Sequence, residues 1–394
     1  MEYVFSKRSK TLEPSPIRES MKFAVNPGVI SFAQGNPSPE TFPLEAIKTI
    51  SSYLWETNPA QLLQYGTTEG HGPLRKTLKE RMASRYNCGR DLDELVIVSG
   101  AQQAVELSVK VLCDEGDTVL CENPSFIGSI NAFKSYNVNL RGIPVEDDGI
   151  HIEALEEALE EEKKVRILYL IPNFQNPLGI TMSLEKRKKV YELAKRYGFI
   201  ILEDNPYGEL RFKGKDIPNI KALDEEGLVI YAGSFSKVFA AGIRVGYVLA
   251  PKPIVQKMVI AKQASDVHTN LFWQAAVDRF MSDYPYEGHI EKLRSVYSRK
   301  CTLMVDCLKE GTDGKIRFNE PEGGLFIWCD MTAYTDMPAF YARLRENGVT
   351  VVPGNMLAVS PDYKQQSFRL NFSTPSDENI VKGIGILTKT LKSI

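Results

Sequence analysis

Histidine is scarce in this chain. The four present (His71, His151, His268 and His289) never stand at H-x-x-x-H spacing, which leaves a histidine-built zinc site without support. Cysteine is also sparse. The six cysteines (Cys88, Cys113, Cys121, Cys301, Cys307 and Cys329) form no C-x-x-C pair and lie mostly in apolar contexts such as LCENP and FIWCD, the pattern of reduced core thiols in a cytosolic protein. No apolar run of about 20 residues occurs, so no membrane-spanning helix is expected. The opening segment MEYVFSKRSKTLEPSP lacks the apolar stretch of a secretory signal, and cytoplasmic location is the expectation. An excess of one charge is missing too. With 48 basic and 50 acidic residues the net charge is -2, which gives no electrostatic reason to bind nucleic acid or an anionic membrane. Repeats of about 20 to 50 residues and low-complexity tracts are absent as well.

What is present describes an ordinary globular protein, 43% hydrophobic and 25% charged. At 394 residues the chain exceeds what one hydrophobic core usually supports, so a large and a small domain are expected. Short apolar runs alternate with helix-period segments through the middle. The candidate strands are 94–99, 117–122, 165–171, 199–204, 228–233 and 245–250, β-branched and nearly continuous in apolar character, as strands covered on both faces should be. SLEKRKKVYELAKRYG reads as a crossover helix with Ser183 as N-cap, Val190, Leu193 and Ala194 on one face, and Gly198 as its stop. A second amphipathic helix spans Ile152 to Lys164, its glutamate run a solvated face. Strand and helix in alternation predict an α/β large domain with a mainly parallel sheet over 45–285. Residues 1–44 are rich in Pro and Ser. Residues 286–394 read as a small α+β domain containing the strands GGLFIWCD and SFRLNFS.

The distinctive polar residues follow strand ends: Ser99 to Gln102, Asn123 to Phe126, Asn173 to Asn176, Asp204 to Tyr207 and Ser234 to Lys237. Ligand sites in open α/β sheets form along that carboxyl edge. In SFSKVFAAGIRVG, Lys237 lies between small hydroxylated residues after an apolar strand, where an amine can form an imine with an aldehyde cofactor; a solvated loop lysine is the alternative. Ser234 and Ser236 are short donors for a phosphate, and Arg244 offers a fork for an anion. SGAQQAVEL puts the amides of Ala101 and Gln102 at a helix start, either as a phosphate site or as a plain strand-to-helix turn. Asp204 ends the strand FIILED and must be paired, by a structural salt bridge or by a pyridinium nitrogen that it keeps protonated. Phe126, in NPSF, either stacks on an aromatic ring or is core.

These motifs, with GNPSPETFP from Gly35, QYGTTEGHGPLR, PNFQNPLG, EDNPYGEL and RLNFS, resemble the fold-type I, pyridoxal-phosphate-dependent aminotransferases of class I/II, in the branch of the kynurenine/2-aminoadipate, aromatic and LysN-like enzymes. The resemblance runs over essentially the whole chain. It implies that Lys237 forms the imine to pyridoxal 5'-phosphate and then moves the substrate's α-proton. It further implies Asp204 as partner of the ring nitrogen, Asn176 and Tyr207 as donors to the ring's 3-oxygen, and Phe126 stacked on the ring. Ala101, Gln102, Ser234, Ser236 and Arg244 resemble the phosphate cradle, joined by Tyr65 from the other subunit of a homodimer with shared active sites. Arg369 resembles the arginine that clamps the substrate α-carboxylate, with Gly35 closing over the same group. Leu178 stands where relatives commonly have threonine.

The activity so implied is transfer of an amino group from an L-amino acid (2-aminoadipate, aromatic or broad range) to a 2-oxo acid such as 2-oxoglutarate, in ping-pong order. SPIRE at 15–19 resembles a mobile segment that covers the active site, making Arg18 a candidate for side-chain recognition, with a surface arginine as the alternative. Two other functions use the same fold. One is β-elimination or decarboxylation; the other is a ligand-sensing transcription regulator, for which the 34 residues before Gly35 offer too little helical pattern to form a helix-turn-helix module.

Overall fold

The computed structural model describes residues 3–6, 9, 28–331, 336–359 and 366–393. A short strand β1 (Ile30–Ser31) comes first, followed by β2 (Asp93–Val98), β3 (Thr118–Asn123), β4 (Asn139–Glu146), β5 (Gly149–Ile150), β6 (Val165–Leu170), β7 (Ile200–Asp204), β8 (Val229–Ser234) and β9 (Gly246–Pro251). Strands β2 to β9 form one sheet in the order β2-β9-β8-β7-β6-β3-β4-β5. Neighbours are parallel from β8 through β4, while β9 runs antiparallel to both β2 and β8. Strands β2 and β8 therefore point the same way, and the carboxyl ends of β2, β3, β6, β7 and β8 share one edge.

The continuous apolar character of these strands has a direct cause. Ile167, Tyr169, Leu202 and Ile230 face one hydrophobic cluster, while Leu168, Leu170, Ile201 and Val229 face another on the opposite side of the sheet. Helix Ala101–Leu112 packs on the first face, and helices Ile152–Glu161 and Leu184–Tyr197 cover the second. The Ser183 hydroxyl accepts from the Lys186 amide, and Gly198 ends the helix in the left-handed region at φ 75°. Both act as the sequence indicates.

Six strands of this sheet match the sequence reading to within about a residue. Strands β4 and β5 do not appear in that reading. β4 lies near the sheet edge with most of its residues partly exposed, and Arg141 and Pro144 break the apolar run that marks the buried strands.

A second sheet is built from β10 (Ile316–Phe318), β11 (Phe326–Met331), β13 (Val352–Pro353) and β14 (Ser367–Asn371), antiparallel in the order β10-β11-β14-β13. The pair β1 and β12 (Val349–Thr350) is parallel, so the segment leading to Gly35 is anchored beside this sheet rather than on the large one. The Phe32 carbonyl also accepts from the Asn371 amide at 2.8 Å. That joint sets Gly35 and Arg369 against the carboxyl edge of the large sheet.

Candidate active site

A cavity of about 280 Å³ opens at that edge. Ala101, Gln102, Phe126, Asn176, Asp204, Tyr207, Ser234, Ser236, Lys237 and Arg244 line it from the large-sheet side, and Gly35 and Arg369 from the other. Tyr65 lies outside the cavity, 80% exposed, with its ring edge on His268. Arg18 lies outside the described residues.

Lys237 lies three residues past the end of β8, and its Nζ donates to the Gly35 carbonyl at 2.7 Å. Burial and the positive charges of Arg244 and Arg369 hold the amine down to about 8. A lysine so placed is partly neutral near physiological pH and therefore nucleophilic. Asp204 is the last residue of β7. Burial pushes its carboxyl up to about 6, against the hydrogen bond from the Tyr169 hydroxyl to Oδ2 at 2.7 Å. Its other oxygen, Oδ1, is buried without a partner.

Arg369, on β14, donates from Nη1 to Asn176 Oδ1 and from Nη2 to the Ala33 carbonyl, both at 2.7 Å, while Nε has no partner. Its guanidinium stacks over Phe326 at 4.2 Å. Burial lowers it to about 10, so it remains charged at neutral pH. Asn176 Nδ2 in turn approaches the Tyr207 hydroxyl at 3.4 Å. Burial raises the Tyr207 phenol, which stays protonated.

The third cluster sits where helix Ala101–Leu112 starts. Arg244 reaches the Ser236 hydroxyl at 3.3 Å and the Ser99 carbonyl at 3.4 Å, and the Ser236 amide donates to Ser234 Oγ at 3.1 Å. Close backbone approach is required here. A Cβ on Gly246 would lie 2.8 Å from the Gly233 carbonyl oxygen and 3.0 Å from the Ala101 nitrogen, so only glycine lets these turns converge. Arg244 itself adopts φ 54°, a left-handed conformation costly for a residue with a Cβ, which aims its fork toward the cluster.

Charge is the common theme: Arg244, Arg369 and Lys237 face a single carboxylate, Asp204, so the cavity is electropositive. Such a site selects a ligand with more than one anionic group. Among the described residues no group of three or more His, Cys, Asp or Glu side chains is placed to hold a metal, and no helix is long and apolar enough to cross a membrane.

The family model for aminotransferase class I and II matches residues 27–387. The chain belongs to the class I and II aminotransferases. It is 40% identical to aromatic-amino-acid aminotransferase 1 of Thermococcus litoralis, over 99% of this chain and 94% of that one. Pyrococcus horikoshii kynurenine aminotransferase, solved with PMP, KYN and KYA, superposes with a TM-score of 0.95 at 39% identity, covering 99% of this chain and 97% of that one. LysN, the alpha-aminoadipate aminotransferase of Thermus thermophilus, solved with N-(5'-phosphopyridoxyl)-L-leucine, gives 0.91 at 34% identity, with coverage of 99% and 97%.

The aminotransferase uses pyridoxal phosphate, and its cavity fits that group. An amine suits the aldehyde, an unpartnered carboxylate oxygen suits a protonated ring nitrogen, and a helix start with hydroxyls and Arg244 suits a phosphate. Sequence reasoning missed Tyr169, Ser129 and Phe326. A phenol inside the apolar run VRILYL needs a hydrogen-bond partner when buried, and that signal would have marked Tyr169. Phe326 has no local signal, because only the packing of β11 against the large sheet brings it to the cavity.

Proposed function

We propose that the aminotransferase moves the amino group of an L-amino acid, with 2-aminoadipate, aromatic or a broader range of donors, to a 2-oxo acid such as 2-oxoglutarate, by ping-pong half-reactions in this cavity. The aromatic, kynurenine and alpha-aminoadipate activities named for the relatives above support that donor class. The observation that carries the site assignment is the convergence of Lys237, the unpartnered Asp204 Oδ1 and Arg369 on one cavity.

Pyridoxal phosphate supplies an aldehyde that condenses with amines and a ring that accepts the electron pair left when a Cα–H bond breaks. Lys237 would hold the aldehyde carbon in the absence of substrate. Its Nζ, partly neutral near physiological pH, would take the substrate's Cα proton and hand it on as general base and then acid. Asp204 Oδ1 would keep the ring nitrogen protonated. Asn176 and Tyr207 would donate to the 3-oxygen, Phe126 would face the ring, and Ala101, Gln102, Ser234, Ser236 and Arg244 would hold the phosphate. Arg369 has donors to spare for the substrate α-carboxylate beside Gly35, and its stack on Phe326 fixes the plane of the fork. Arg18 is the proposed contact for the substrate's distal group.

A homodimer with shared sites belongs to the same proposal. It is supported by exposed Tyr53 and Tyr65, which line a groove of about 930 Å³, and by exposed Trp55 and Leu63 in the same stretch of chain. In it, Tyr65 reaches the partner's phosphate site. The division into 1–44, 45–285 and 286–394 is likewise proposed; the two main sheets fall within 93–251 and 316–371. Cytoplasmic location is proposed from the sequence alone.

The test is a panel of L-amino acids with 2-oxoglutarate, read as glutamate formed by wild type and Arg369→Gln. Glutamate is expected from aromatic donors or 2-aminoadipate, with KM raised at least about tenfold in the variant, as loss of a charged bidentate contact implies. No glutamate from any donor, or oxo acid released without an acceptor, overturns the proposal.

A further inference from the structure

Asp204 spends its second oxygen on a chain that the chemistry above does not use. Tyr169 donates to Oδ2 at 2.7 Å, and the Ser129 hydroxyl donates to the Tyr169 oxygen at 2.9 Å. All three residues are buried. The sheet register builds the contact: Tyr169 on β6 stands opposite Leu202 on β7, and Asp204 is two residues further along the same face. The edge of Phe133 packs on the Tyr169 ring at 5.4 Å and holds it in place.

The direction of the chain is fixed. Burial and the neighbouring Asp204 keep the phenol well above its ordinary range, so it always carries its proton and always donates. Glu122, the other buried carboxyl nearby, is pushed up to about 8 by burial and adds little negative charge at neutral pH. With Oδ2 anchored, Oδ1 is left as the free oxygen of a carboxylate that lines the cavity.

We propose that Tyr169, backed by Ser129, is the positioning residue that orients Asp204 toward the cofactor's ring nitrogen and sets the strength of that contact. The proposal rests on the assignment of Asp204 given above. A phenol that merely filled the core would stabilise the sheet equally whatever occupied the cavity. One that works through Asp204 must favour a cofactor with a ring nitrogen over one without.

Apoprotein is titrated with pyridoxal phosphate and with its 1-deaza analogue, which carries C–H in place of the ring nitrogen, and binding is read from absorbance. Tyr169→Phe is expected to weaken pyridoxal phosphate about tenfold, as loss of a hydrogen bond to a charged group implies, and the analogue less than about twofold. Ser129→Ala is expected to show the same selectivity on a smaller scale, and it decides the matter alone if Tyr169→Phe does not fold. Equal weakening of both ligands, or of neither, overturns the proposal. Asp204→Asn serves as the separate control. If it binds both ligands like wild type, the assignment of Asp204 itself fails.

Discussion

At the scale of single residues, this site is assembled from charges that the fold alone does not satisfy. Asp204 is the clearest case. Its carboxyl lies at about 6 in the folded protein against an ordinary value of 3.8, so between those values the folded chain binds more protons than the unfolded one. Stability of the apoprotein therefore falls as pH rises through that window, and at neutral pH the buried carboxylate costs up to about 3 kcal/mol. Asp204→Asn should make the apoprotein more stable by about 1–3 kcal/mol at pH about 7.5, an advantage that fades below pH about 4, while removing transamination. Urea unfolding of the two apoproteins at both pH values checks this; equal stability at neutral pH contradicts it. Asp204 was legible in the sequence because a carboxylate ending an apolar strand demands a partner. Tyr169 was legible only through its oxygen, because its ring satisfies the apolar pattern. Arg18, offered by the sequence alone, lies outside the described residues.

Elements carry these residues to a common edge, and most of the elements could be read directly. Periodicity and caps placed six strands and the helix Leu184–Tyr197 because local rules decide them: both faces of each strand are covered, and the helix starts and stops on Ser183 and Gly198. Gly198→Ala puts a Cβ at φ 75° with no steric neighbour, so the backbone conformation alone should cost about 1 kcal/mol. Thermal unfolding of the variant should show that loss with kcat unchanged. An unchanged melting temperature would mean that the left-handed stop is not what ends this helix. Strand β4 escaped the sequence reading because it is partly exposed, and the pairing of β1 with β12 because about 320 residues separate its partners and no local pattern encodes such a contact. That pairing matters for function, since it delivers Gly35 to the cavity.

The molecule as a whole brings the carboxyl edge of a mixed sheet against a small antiparallel sheet, and the cavity between them exists only in the assembled fold. Gly35 and Arg369 come from one side, Lys237 and Asp204 from the other, and a surplus of positive charge awaits anionic ligands. Binding of the cofactor supplies missing partners and should stabilise the fold by mass action. In the proposed function, Lys237 is the amine on which this chemistry turns. That claim is tested most directly by the near-ultraviolet and visible absorbance of the purified protein with pyridoxal phosphate, before and after a mixed L-amino-acid pool, in wild type and Lys237→Ala. A visible band that amino acids shift to the pyridoxamine form in wild type only, with apoprotein loading faster as pH rises through about 8, is the predicted result. A wild type that stays colourless, or a variant that behaves like it, would contradict the account.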